Sequence, residues 1–160
     1  MNTTTPATSK ELLAAADAGW RRFREAVRDV GRAKMDHQTG AGWSYHDLFA
    51  HIAGWQDLTA RRLRVYRTTG AFPGPGDEGA LGSPSFADAD EFNALLISSH
   101  RLVGAEALVD ELDATFRAVR DELTQLTDAQ LRANDDRVIS VVAGNTYGHY
   151  EEHAAELGSA

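Results

Sequence analysis

Three histidines carry the most definite chemistry in this sequence. His149 and His153 stand four residues apart in Tyr147-Gly148-His149-Tyr150-Glu151-Glu152-His153, and His51 lies far upstream in Asp47-Leu48-Phe49-Ala50-His51-Ile52-Ala53-Gly54-Trp55. On a helix, a spacing of four puts two side chains on one face, one turn apart, so both imidazoles can reach a single metal ion. Two neighbouring ligands and one distant ligand close a three-histidine site and leave further positions open, which separates a catalytic metal from a structural one. Imidazole nitrogens are good ligands for a divalent metal ion, which is the expected cofactor. The pattern is not that of a zincin, because Tyr150 follows His149 where a general-base Glu would stand.

The elements that must position these residues read as helices throughout. Helix one begins after Ser9 and runs to Val30, its stripe of Leu12, Leu13, Ala16, Trp20, Phe23, Val27 and Val30 following the 3.6-residue period. Ser44 reads as an N-cap with Asp47 in the capping-box position, opening helix two over residues 45–67 with Leu48, Ile52, Trp55 and Thr59 buried. Residues 68–88 form a Gly/Pro-rich linker containing Pro73, Pro75 and Pro84. A long third helix carries Phe92 through Leu123, with a kink or break expected at Gly104, and a short turn at residues 127–131 leads to helix four over residues 138–157. No internal repeat and no convincing strand is visible. The fold class is all-α, a four-helix bundle, and residues 1–160 read as one domain.

The histidine spacing constrains the topology. His51 lies ~9 Å from the start of helix two, while His149 and His153 lie ~12 and ~6 Å from the end of helix four, at ~1.5 Å per residue. They share a level only if these two helices are antiparallel. A plain up-down-up-down bundle makes them parallel, whereas an up-down-down-up bundle with a long crossover between helices two and three makes them antiparallel. That crossover must climb ~33 Å, and an extended linker of this length spans ~70 Å. The site then opens where the loop after helix one, the end of the linker and the start of helix three meet, which makes Phe92 and Asn93 candidates for substrate contact. Trp43 and Trp55 bracket His51 and read first as packing, with Trp55 also placed to touch a substrate. His100 sits at the edge of the helix-three stripe and is a further candidate for the pocket. Glu152 is the candidate for orienting an imidazole, against the simpler reading of a solvated carboxylate. His37 and His46 read as surface residues.

Composition narrows the function classes. Sixteen basic against twenty-four acidic residues give a net charge of −8. No Lys/Arg cluster stands out as a phosphate-binding stripe, so the expectation is a small-molecule substrate and no nucleic acid. There is no cysteine, which removes disulfides, thiolate ligands and a Cys nucleophile. The start of the chain is polar and no stretch approaches the ~18–20 apolar residues that span a bilayer, so the expectation is a cytoplasmic protein without a membrane partner. A homodimer is the remaining partner option.

The segment Trp43-Ser44-Tyr45-His46-Asp47-Leu48-Phe49-Ala50-His51-Ile52-Ala53-Gly54-Trp55, then Phe92-Asn93-Ala94, then Asn145-Thr146-Tyr147-Gly148-His149-Tyr150-Glu151-Glu152-His153 together resemble the DinB-like superfamily over essentially the whole chain. The resemblance implies an up-down-down-up four-helix bundle and a zinc or nickel ion on three histidines that align with His51, His149 and His153. Characterised members include metal-dependent transferases of low-molecular-weight thiols, among them mycothiol-dependent maleylpyruvate isomerases and bacillithiol transferases. The expected function is therefore metal-dependent activation of a thiol, such as mycothiol, for S-transfer to an electrophilic small molecule. The alternatives are a hydrolase using a metal-bound water and a non-catalytic binding or self-protection protein. The Ala-, Arg- and Gly-rich composition suggests a high-GC bacterial source, where mycothiol is the thiol. The expectation is a single domain, without the extra C-terminal domain of the mycothiol-dependent isomerases.

Overall fold

The computed structural model describes residues 5–74 and 76–158; the polar start at residues 1–4 and Pro75 of the linker lie outside the described residues. Its helices are α1 (Ser9–Val30), α2 (Tyr45–Thr69), α3 (Ala89–His100), α4 (Ala105–Thr124), α5 (Asp128–Asn145), α6 (Tyr147–Glu152) and α7 (Ala154–Leu157). Local sequence sets most of their starts. The Ser44 hydroxyl accepts from the Asp47 amide at 3.1 Å and the Asp47 carboxylate accepts from the Ser44 amide at 3.2 Å, the reciprocal cap that opens α2. Thr8 and Asp88 cap α1 and α3 in the same sense, and Thr127 with Gln130 forms a second capping box at α5.

Cross-helix hydrogen bonds give the topology. Along α2 and α4, His46 meets the Val103 carbonyl just before α4, Gln56 meets Thr115 and Arg64 meets Glu122, so the two helices run parallel. Against α5 and α6 the order reverses: His51 meets His149, Thr59 meets Asn145 and Tyr66 meets the Gln130 carbonyl. Asp17, Arg24 and Arg32 of α1 and the residues just after it pair with Arg120, Asp113 and Glu106 of α4, an antiparallel arrangement. The bundle is up-down-down-up, and α2 faces the C-terminal helices in the antiparallel sense that the histidines require.

Two long elements are broken, the first at the expected position near Gly104 and the second where a continuous helix was expected. Residues 101–104 separate α3 from α4, with Gly104 as the residue preceding α4. The last helix is interrupted at Thr146 and again at His153, and within α5 residues 134–136 take left-handed backbone angles. Asn and Asp tolerate that conformation better than other side chains. The climb from the end of α2 is shared between the linker and α3, which runs back along α2 and covers its remaining side. Residues 48–54 of α2 are consequently buried all round, not only on one stripe. Gly54 is what admits α3 so closely, since a Cβ there would overlap the Leu96 side chain.

The core falls into two main apolar clusters. Phe23, Val27, Leu48, Phe49, Ile52, Leu108, Leu112 and Tyr150 fill the end that holds the histidines, and Leu12, Leu63, Phe116, Leu123, Leu131 and Val142 fill the other. Between them lies a buried polar chain: Thr115 donates to the Gln56 side-chain carbonyl at 2.7 Å, and the Gln56 amide donates to the Tyr150 hydroxyl at 2.6 Å. Buried amides and hydroxyls are costly unless paired, so this chain fixes one register of α2, α4 and α6. Among the described residues no helix is long and apolar enough to cross a membrane.

Candidate metal centre

Each of the three histidines reaches the centre by a different route. His51 lies two turns into α2 at 5% exposure, and His149 lies inside α6 at 6% exposure. His153 sits between α6 and α7 and is half-buried. The approach of α6 to α1 depends on Gly19, whose Cβ would stand 2.5 Å from that of Tyr147. The Gln56–Tyr150 bond then sets the turn of α6 against α2.

The His51 and His149 Nε2 atoms are 2.7 Å apart, and a ring nitrogen from each of the three histidines lies within 4.8 Å of the others. The outer nitrogens are held unequally. The Trp55 indole is a donor only and gives its proton to the Asn93 Oδ1 at 2.9 Å; the same oxygen lies 2.8 Å from His51 Nδ1. That network assigns the proton of His51 to Nδ1 and leaves a lone pair on Nε2. His153 Nδ1 lies 2.6 Å from the Glu156 Oε1, which places its proton there too. Among the described residues His149 Nδ1 is buried with no partner. Burial first, and then the neighbouring His153, push His51 down to about 4, outweighing the Asn93 bond and Glu156; burial and the two neighbouring imidazoles push His149 down to about 3. Both are neutral at pH 7.

The donor set fits a divalent ion. Neutral imidazoles are competent ligands without losing a proton, and no carboxylate belongs to the trio. Zinc–nitrogen bonds of ~2.0–2.1 Å in a tetrahedral site would place two ligand atoms roughly 3.3 Å apart, a separation between the 2.7 Å of the His51–His149 pair and the 4.8 Å that bounds the trio. Around the centre stand half-buried indoles: the Trp43 ring is 4.9 Å from His51 and 6.5 Å from His153, and Trp55 lies edge-on to His51 at 6.4 Å.

The remaining candidates separate. Asn93 is at the centre, backing an imidazole. Phe92 is buried against Trp55 and stacks on Phe86 at 4.4 Å, one step removed from the histidines. His100 is engaged elsewhere, with Nε2 2.9 Å from Glu111 and Nδ1 2.7 Å from the Leu96 carbonyl. Glu152 is exposed, and the carboxylate on a histidine is Glu156. Sequence reasoning passed over Glu156, although its i+3 spacing from His153 was a usable signal. His37 is exposed, while His46 is half-buried with Nε2 2.7 Å from the Val103 carbonyl.

Two solved structures share the fold. The colibactin self-resistance protein ClbS, in complex with double-stranded DNA, superposes with a TM-score of 0.78 at 12% identity, covering 98% of this chain and 96% of its own. An uncharacterised protein from Escherichia coli UTI89 superposes with a TM-score of 0.77 at 18% identity, covering 97% and 93%. The first corrects the expectation of no nucleic-acid partner. A protein of this fold is seen with DNA, and net charge averages over a surface on which a local patch decides association. No curated protein matches the chain. The family model described as the DinB superfamily matches residues 15–156, nearly the whole bundle and all three histidines with it, and the chain belongs to that superfamily.

Proposed function

We propose that this protein is a divalent-metal-dependent enzyme in which His51, His149 and His153 hold zinc or nickel, and a low-molecular-weight thiol such as mycothiol is activated for transfer to an electrophilic small molecule. The observation that carries the reading is the convergence of three ring nitrogens within 4.8 Å, on two imidazoles that burial keeps neutral. A divalent ion bound there supplies a Lewis acid that favours the deprotonated form of a thiol or water. The chain's own residues bind and orient. Asn93 fixes the His51 ring, Trp55 fixes Asn93, and Trp43 shelters the His51 and His153 rings from solvent. A hydrolase using water in place of the thiol rests on the same residues. The test is turnover of an electrophile such as monobromobimane by metal-loaded protein with and without thiol. Thiol-dependent turnover that His149→Ala abolishes supports S-transfer, and thiol-independent hydrolysis supports the second chemistry. Absence of both would leave a binding protein.

A second reading, DNA binding in self-protection, is favoured by one surface. The grooves between α1 and α4 are lined by Arg21, Arg24, Arg28, Arg117 and Arg120 against Asp17, Glu25 and Asp113, on a floor of Trp20 and Phe116. Arg21 and Arg117 are exposed and neither makes an ion pair among the described residues. Phosphate contacts of this kind weaken with salt. Retention of a duplex at low salt, lost on Arg21→Glu/Arg117→Glu substitution, is the expected result, and equal binding by the double variant would sink it.

A further inference from the structure

His153 differs from its two companions in how its ring is aimed. His51 lies inside a 25-residue helix and His149 is buried within α6, so packing fixes both. His153 occupies the junction between α6 and α7, where helical hydrogen bonds to His149 and from Leu157 keep it one turn beyond His149, but it is the half-buried member of the three and packing does not enclose its ring. What holds its ring is Glu156, three residues on in α7. The Oε1–Nδ1 distance is 2.6 Å, and the side chains are only 15% and 16% exposed. Among the described residues the other carboxylate oxygen is buried without a partner, and the group's one hydrogen bond goes to the imidazole. Main chain places Glu156 in turn: its amide donates to the His153 carbonyl at 3.0 Å, and its carbonyl accepts from the Tyr45 hydroxyl at 3.1 Å.

We propose that Glu156 is the positioning residue of the metal centre. By accepting a hydrogen bond from Nδ1–H it fixes the tautomer that leaves Nε2 of His153 free to coordinate, and it holds the ring that packing leaves only half enclosed. It also sets a carboxylate on one side of a centre made of three imidazoles. Among the described residues His51 is backed by an amide and His149 by no hydrogen-bond partner, so the centre is electrostatically lopsided, with His153 the strongest donor. This rests on the metal-centre reading above. Loss of such an outer partner typically weakens metal binding ~10–100-fold.

The experiment is zinc affinity of the full chain, measured against a competing chelator, for the unaltered protein and for Glu156→Ala, Glu156→Gln and Glu152→Ala. Glu156→Ala should lose ~10–100-fold. Glu156→Gln keeps a carbonyl acceptor and the shape of the side chain, and should fall between. Glu152→Ala should not change. A metal-free arm reads the tautomer of the His153 ring by nitrogen-15 NMR at neutral pH: Nδ1–H in the unaltered protein, shifting towards Nε2–H in Glu156→Ala. If Glu156→Ala does not fold, Glu156→Gln alone decides, because an unchanged affinity and tautomer there would overturn the charge-assisted role. Equal affinity and tautomer across unaltered protein and both Glu156 variants overturns the proposal alone. Failure of the unaltered protein to bind zinc or nickel removes the metal centre and this proposal together.

Discussion

His51 and His149 are held neutral by burial, and that has a cost that depends on pH. Their folded values, about 4 and about 3, lie below the ordinary 6.5. Between pH ~6.5 and ~4 the unfolded chain therefore binds protons that the folded protein refuses. Stability contributed by each histidine is full above that window and falls as pH drops through it, by at most ~1.4 kcal/mol per pH unit. We expect chelated protein to lose melting temperature steadily from pH 6.5 to 5, and His149→Asn to flatten that slope; an unchanged slope would contradict the burial argument. Metal content, measured by elemental analysis, should be about one ion per chain and vanish in His51→Ala or His149→Ala but not in His37→Ala. The three histidines were legible because ligands on one helix must recur at i+4, a constraint written into linear sequence. The groups behind them were less so. Asn93 read as a substrate contact because nothing in the sequence says that its oxygen is shared between an indole and an imidazole.

At the scale of elements, the crossover was legible from length and composition, but its path was not. Periodicity alone runs α3 and α4 together, because Leu102 and Val103 continue the apolar register across the turn although Leu102 is 96% exposed; Gly104 is what made the break legible. Nothing in the pattern from Val138 to Leu157 marks the breaks at Thr146 and His153. The capping box at Ser44 and Asp47, by contrast, is local and could be read directly. The docking of α3 gives a sharp test. Gly54→Ala drives a methyl into Leu96, and overpacking of this kind costs about 1–3 kcal/mol. The cost should shrink in Gly54→Ala/Leu96→Ala. The same single variant should weaken metal binding, since Asn93 rides on α3; undiminished affinity would show that Asn93 does not hold His51.

For the whole molecule, the two apolar clusters contain most of the buried side chains and neither needs an ion. Chelation should therefore leave the helical circular dichroism intact, and rebinding should add about 2.7 kcal/mol at free metal a hundredfold above Kd. Complete unfolding on chelation would mark the metal as structural. The way α3 is built in has a wider consequence. It contributes only Phe92 and Leu96 as buried residues, is entered and left by turns, and lies against one side of α2 outside the four-helix core. Segments with so little buried apolar surface open at a lower free energy than the body they lean on. Amide hydrogens of α3 should exchange with solvent well before those of α2 or α4, in a cooperative group, without the bundle unfolding. Each such opening carries Asn93 away from His51 and uncovers Trp55. Order at the centre and protection of α3 then belong to one equilibrium, and anything that binds tightly to the three histidines in their held geometry should slow exchange along the entire length of this helix.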